Sequence, residues 1–276
     1  MLIAAAARSG SRLVYTHRGG IRDYSRVKQF RLMLARRLVR RFHAISGNTR
    51  QSASAAARWL GIPPEDVRVI YNGLDFALLE PTRSPSQIRA ELPDWPDGAL
   101  LVGTAANLQS WKRVNRLLEA VARSRDGVNC VVLGEGPARP GLERLSAELG
   151  VPHRVAFVGW KKRVADYLQL LDAFVLPSGP EEGFGNAAVE AMGLGIPTVV
   201  FADGGGLVEH VIDRKTGLVV SDTDDLARAL SELAADSALR VQLGGAGRRY
   251  VRDTYSLDAM SSRYDALYHE ALAIRP

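Results

Sequence analysis

The stretch "VNCVVLGEGPARPGLERLSAELGVPHRVAFVGW", residues 128 to 160, decides the fold class. It opens on a continuous apolar run, Val128 to Leu133, stopped by Gly134-Glu135-Gly136. It closes on a second run, Val155 to Gly159, and "PGLERLSAELG" between them reads as a helix. Strands that are apolar throughout and separated by helices belong to a parallel sheet covered on both faces. The same alternation extends outward. Upstream, "ALLVGTAANL" reads as a strand, and "WKRVNRLLEAVARS" places Val114, Leu117, Leu118 and Val121 at helical spacing, with the helix starting near Trp111. Downstream come the helix "RVADYLQLL", the strand "DAFVLPS", a short helix from Gly185 to Gly195, the strand "IPTVVFA", a glycine-rich loop, "TGLVV" and the helix "DDLARALSELAAD". An α/β fold follows, in which residues 74–255 form one complete doubly wound domain. Its ligands are expected beyond the carboxyl ends of the strands.

Residues 1–73 are different. "RLVYTHRGG", "RRFHAISG" and "EDVRVIYNGLD" read as three strands with about two helices, half of a Rossmann-like layer and too little for a well-covered sheet. This region is expected to be the latter part of a second domain.

Composition narrows the class. Of 276 residues, 46% are hydrophobic and 24% charged, as in ordinary globular domains. Cys130 sits in an apolar run and reads as a core residue of a reducing compartment. No apolar run approaches the roughly 18 residues of a membrane span. "MLIAAAARSG" lacks the basic start of a signal peptide, so a cytoplasmic location is expected. The net charge of +6 is uneven: residues 1–50 hold twelve Lys or Arg against the single acid Asp23. A basic block of this kind, residues 8–50, suggests an anionic surface. Within it "SRVKQFRLMLARRLVRRF" keeps Val27, Phe30, Leu34 and Leu38 at helical spacing. That segment is either a surface helix packed on its own domain or a helix lying on the inner face of a membrane. No recognition motif or aromatic platform accompanies the charge, so nucleic acid is not expected.

The chemistry concentrates in "SGPEEGFGNAAVEAMGLGIP", residues 178 to 197. Its helix is small and apolar, and Glu190 is the one charge in it. A buried carboxylate needs a partner. The helix entrance, Gly183-Phe184-Gly185-Asn186, lets backbone N–H groups approach an anion closely. Lys112 and Arg113, read as the first turn of another helix, sit where cations are disfavoured unless an anion intervenes. Two strand-end helix entrances therefore both ask for an anion such as a pyrophosphate. Glu190 would then hold a neutral neighbour of the phosphates, and a ribose diol suits a carboxylate able to accept two hydroxyls. A dinucleotide fingerprint fails, because Arg139 stands where the third glycine of G-x-G-x-x-G would be.

Glu182 and Glu190, separated by seven residues, resemble the E-x7-E signature of retaining glycosyltransferases of family 4 (group 1) with the GT-B fold. "VYTHRGG", "HAISGNTRQ", "VRVIYNGLD", "LLVGTAANLQSWKRVNRLLEA", "VVLGEGP", "VAFVGW", "DAFVLPS", "GGGLVEHV", "TGLVV" and "YSLDAMSSRYDALYHEAL" fall in the family's order across nearly the whole chain. The resemblance implies a nucleotide-diphospho-sugar as donor, no metal and no further cofactor, and transfer with retention to a cell-envelope or polysaccharide-type acceptor. It implies that Glu190 binds the ribose and that Glu182 touches the donor sugar. Lys112 and the N–H groups of Phe184, Gly185 and Asn186 would stabilise the leaving diphosphate. His17 would face the donor sugar across the cleft, and Trp160 and Lys161 would seat the base. Residues 256–276 would form a tail helix, with Met260, Tyr264, Leu267 and Ala271 on one face, returning to the N-terminal region.

The chain departs from the family at two points. Asn107 occupies the position of an arginine that helps bind the diphosphate, and Arg113 is the candidate to compensate by turning back. The start of the family's first domain, with most of the acceptor site, does not precede residue 1, so this chain is expected to be impaired or inactive in transfer. A non-catalytic nucleotide-sugar-binding remnant and a sugar-nucleotide epimerase on the same fold are the alternatives. Neither the base, the sugar, the acceptor nor the oligomeric state is fixed by the residues.

Overall fold

The computed structural model describes residues 11–19, 42–124 and 127–273. The basic segment 25–41, expected to be helical, lies outside them. Two parallel sheets organise the rest. The smaller has the order β1 (Val14–His17), β2 (Ala44–Gly47), β3 (Val67–Val69), with α1 (Arg50–Leu60) linking β2 to β3. The larger contains β4 (Leu100–Ala105), β5 (Val128–Leu133), β6 (Val155–Gly159), β7 (Ala173–Leu176), β8 (Thr198–Phe201) and β9 (Leu218–Val220). Its spatial order is β6-β5-β4-β7-β8-β9, all parallel. The order therefore reverses between β4 and β7, the switch point outside which open α/β sheets bind ligands.

Continuous apolar strands feed two cores. Val128, Cys130 and Val132 of β5 face one, while Val131 and Leu133 face the other. Over the first lie α3 (Asn115–Arg123), α4 (Arg139–Glu148) and α7 (Thr223–Ala235); α2 (Pro85–Arg89), ahead of β4, and α5 (Ala165–Leu168), between β6 and β7, supply Ile88, Tyr167 and Leu168 to the second core. The second core also holds α6 (Asn186–Leu194) and residues of α8 (Ser237–Thr254). Cys130 is fully buried, which pushes its thiol up to about 12 and leaves it inert.

The chain crosses between the sheets twice, at neighbouring points. The Leu74 N–H donates to the Tyr255 carbonyl (2.7 Å), and Leu74 pairs with Ser256 as an isolated parallel bridge. Beyond the second crossing, α9 (Leu257–Ala273) packs on the smaller sheet, with Leu267 and Ala271 buried and Glu270 paired to Arg68 of β3 at 3.1 Å.

One expected element starts later than the sequence suggests. Trp111 and Lys112 belong to a short 3-10 turn, Ser110–Lys112, and Arg113 interrupts the chain with a left-handed φ of 50° before α3 begins. The guanidinium of Arg113 fills the space a side chain on Gly179 would occupy, with Cζ only 2.5 Å from an added Cβ, and bonds Asp203. Lys112 thus lies at the carbonyl end of a turn, where a cation is favoured, and the expected conflict with a helix dipole does not arise.

Candidate active site

The carboxyl ends of β4 and β7 lead into the two loops that build the site. After β7, residues 177–185 run to α6, which is bracketed by Gly185 (φ 80°) and Gly195 (φ 84°). A side chain at Gly185 would need a left-handed backbone and would strike Leu207, 2.6 Å from an added Cβ. No side chain caps the amino end of α6, so its first turn faces the cleft with unfilled N–H donors. After β4, Ala106 to Leu108 pass so close to the "GEG" loop that a Cβ on Gly134 would lie 1.9 Å from the Ala106 carbonyl oxygen. The glycines at 134 and 136 therefore serve loop-on-loop contact, sealed by Leu108 N–H to Glu135 C=O at 2.9 Å.

Two chambers open above these loops and share Asn107, Asn186 and Ala187 as a common wall. The first, of about 470 Å³, is bounded by Lys112, Glu182 and residues 183–186 on one side, and by Arg18, Asn48 and Asn72 on the other. Lys112 Nζ bonds Glu182 Oε2 at 2.5 Å, and both side chains are largely buried, at 13% and 8% exposure. The second chamber, of about 490 Å³, is lined by Trp160, Lys161, Asn107 and Glu190. Trp160 is 69% exposed and offers a flat apolar face, while Lys161 reaches Glu91 at 3.5 Å. Burial raises the Glu190 carboxyl above the ordinary carboxylate range, and among the described residues no cation or donor offsets it. A third opening, of about 570 Å³, reaches Glu190 from the crossing between the sheets and is also lined by Arg18, Asn72 and Asn186.

The structure thus gathers Lys112, Glu182, Gly183, Phe184, Gly185, Asn186, Asn107, Glu190, Trp160 and Lys161 around one cleft. It places two other residues elsewhere. Arg113 lines neither chamber; its guanidinium bonds Asp203 at 2.7 Å and faces Glu181 at 4.0 Å. His17 lines none of the three openings, although its neighbours Arg18 and Gly19 do. Its Nδ1 meets the Tyr15 hydroxyl at 3.1 Å, and burial holds its pKa below the ordinary value.

Sequence reading passed over several residues that hold the site together. Glu209 accepts the backbone N–H groups of Arg50 and Gln51, both at 2.9 Å, and the Tyr71 hydroxyl at 3.2 Å. It therefore places a carboxylate from the larger sheet on the amino end of α1, where the helix dipole favours it. Thr49 caps the same helix and donates its hydroxyl to the Gly183 carbonyl at 2.9 Å. Asn72 donates to Asn186 Oδ1 at 3.0 Å. The sequence signals were "SGNTRQS", a helix-start pattern, and the acid closing "GGGLVE". Beneath Phe184 lies His210, fully buried, with ring centroids 4.2 Å apart and Nδ1 meeting Tyr255 Oη at 2.8 Å.

Comparison with known proteins agrees with this geometry. The family model for glycosyl transferases group 1 matches residues 88–250, and that for glycosyltransferase family 4 matches residues 1–78. The lipopolysaccharide core biosynthesis glycosyltransferase LpsE of Rhizobium meliloti (strain 1021) is 34% identical over 178 residues, covering 64% of this chain and 51% of the relative. A D-inositol 3-phosphate glycosyltransferase of Streptomyces scabiei (strain 87.22) is 31% identical over 252 residues, covering 85% of this chain and 55% of the relative. The chain spans about half the length of the curated relatives it matches. Anabaena Alr3699/HepE, solved in complex with UDP and glucose, superposes with a TM-score of 0.85 at 23% identity, over 97% of this chain and 74% of that one. A switch-point cleft on a GT-B scaffold and a family match over most of the larger sheet converge: the chain belongs to the group 1 glycosyl transferases, glycosyltransferase family 4.

Proposed function

We propose that the cleft binds a nucleotide-diphospho-sugar and serves transfer of the sugar, with retention, to a cell-envelope or polysaccharide-type acceptor. The observation that carries the reading is Glu190, a carboxylate desolvated in a chamber with no described partner, beside the open amino end of α6. A ribose diol supplies the two donors the carboxylate lacks. The diphosphate then falls at the amino end of α6, where N–H groups and dipole favour an anion. Lys112 adds a charge that opposes the negative charge growing on the leaving group. Glu182, held by Lys112, is within reach of a sugar in the first chamber, and Trp160 offers a face for the base. The glycosyltransferase names of LpsE and of the Streptomyces relative, and the UDP and glucose in the HepE complex, support the substrate class. The charge of residues 1–50 supports a peripheral seat on an anionic membrane face. No helix among the described residues is long and apolar enough to cross a membrane.

Titration calorimetry with UDP, GDP and ADP tests the reading. Glu190→Ala should weaken the best-bound nucleotide by about 1.5–3 kcal/mol, the range for hydrogen bonds to a charged group. Unchanged affinity would remove the ribose role.

A further inference from the structure

The first chamber is short of positive charge. Its charged lining residues are Arg18, Lys112, Glu181 and Glu182, two cations against two acids. Lys112 is already bonded to Glu182. The family's arginine position holds Asn107, which has no charge to give. The two arginines next along the chain, Arg113 before α3 and Arg116 in its first turn, are committed elsewhere: both bond Asp203 at 2.7 Å. A diphosphate carries more negative charge than Lys112 alone can meet while it also holds Glu182.

Arg18 remains. It follows β1 in the smaller sheet and lines both the first chamber and the third opening, on the opposite side from Lys112. Both openings also contain Phe184 and Asn186, so Arg18 shares a cavity with the amino end of α6. It is exposed, no described acid pairs with it, and its described bond is a long one, 3.5 Å, to the Tyr264 hydroxyl of α9. A guanidinium offers a planar fork that fits phosphate oxygens in pairs.

We propose that Arg18 is the second cation for the diphosphate, supplied by the smaller sheet in place of the arginine that Asn107 replaces. The proposal rests on the nucleotide-sugar reading of the cleft. Lys112 and α6 hold the anion from the larger sheet and Arg18 holds it from the smaller, so the diphosphate bridges the two bodies.

The test is calorimetry on the 276-residue chain with UDP, GDP and ADP and with the matching nucleosides. Wild type, Arg18→Ala, Arg18→Lys and Glu190→Ala are compared. Arg18→Ala should weaken diphosphate binding about tenfold and leave nucleoside binding unchanged, as loss of one charge-assisted contact requires. Arg18→Lys should recover part of the loss, since it keeps the charge without the fork. Added salt should narrow the gap between wild type and Arg18→Ala. Equal diphosphate affinity in wild type and Arg18→Ala, with Glu190→Ala impaired, overturns the role of Arg18 and leaves the cleft reading standing. Equal loss of nucleoside and diphosphate in Arg18→Ala overturns it as well. Failure of the wild type to bind any of the nucleotides overturns both.

Discussion

Burial raises the Glu190 carboxyl in the folded chain, and that shift has a sign. Below the ordinary carboxylate value both folded and unfolded chains hold the proton. As pH climbs from there through the raised native value, the unfolded chain releases its proton first, so stability falls. At neutral pH the full penalty is present. Glu190→Gln should therefore raise the thermal midpoint at pH 7 and lose that advantage at pH 4, while binding nucleotide more weakly. A midpoint unchanged at both pH values would mean that the carboxylate is well solvated. Lys112 and Glu182 form a largely buried pair in which each charge compensates the other. Lys112→Ala leaves Glu182 charged and alone, which should cost about 3 kcal/mol in chemical denaturation. Adding Glu182→Gln should restore most of that stability without restoring diphosphate affinity. Recovery of both together would make Lys112 a structural residue only.

Helix α6 shows what the sequence makes legible and what it does not. Glycines at 185 and 195 bracket a small apolar run, and the helix fills that interval because both caps need left-handed backbone. The start of α3 was not legible. Leu117, Leu118 and Val121 do lie on its buried face and Val114 just precedes the helix, but periodicity fixes a face and not a first residue. The break at Arg113 comes from contacts with Gly179 and Asp203, far along the chain. Glu209 was only half legible for the same reason: the acid closing "GGGLVE" can be seen, but nothing local pairs it with the helix start at Thr49. The candidates Glu190, Glu182 and Lys112 stand out in the sequence because their signals are local: a charge in an apolar helix, a fixed spacing, and a cation read at a helix entrance that the structure makes a 3-10 turn. At this scale Thr49→Ala should cost about 1 kcal/mol as a lost helix cap. It should also free the Gly183 carbonyl, so hydrogen exchange should rise in residues 183–186 as well as in α1. Protection lost in α1 alone would show that the cap and residues 183–186 are independent.

Across the whole molecule, Tyr71, Phe184, His210 and Tyr255 pack as one aromatic group beside the two chain crossings. Burial pushes His210 down to about 3, so the folded chain refuses a proton that the unfolded chain accepts near the ordinary value of 6.5. Stability contributed by the neutral ring is complete above that value and is lost as pH falls toward 3, by up to about 1.4 kcal/mol per pH unit. Urea denaturation of wild type and His210→Phe at pH 7 and pH 5 should show the variant gaining on wild type at the lower pH. Parallel profiles would mean that water reaches the ring. The crossings themselves have a mechanical consequence. One strand joining two bodies is a tether, and two distant strands are a brace, but Leu74 and Tyr255 are bonded to each other and form a single pin. When the contacts that Thr49 and Glu209 make across the cleft break, the two sheets are left one coordinate, an angle of swing. A distance between labels at the exposed positions Ser54 on α1 and Arg228 on α7 reports that angle, and on the proposal that a diphosphate is gripped from both sides its binding should set it.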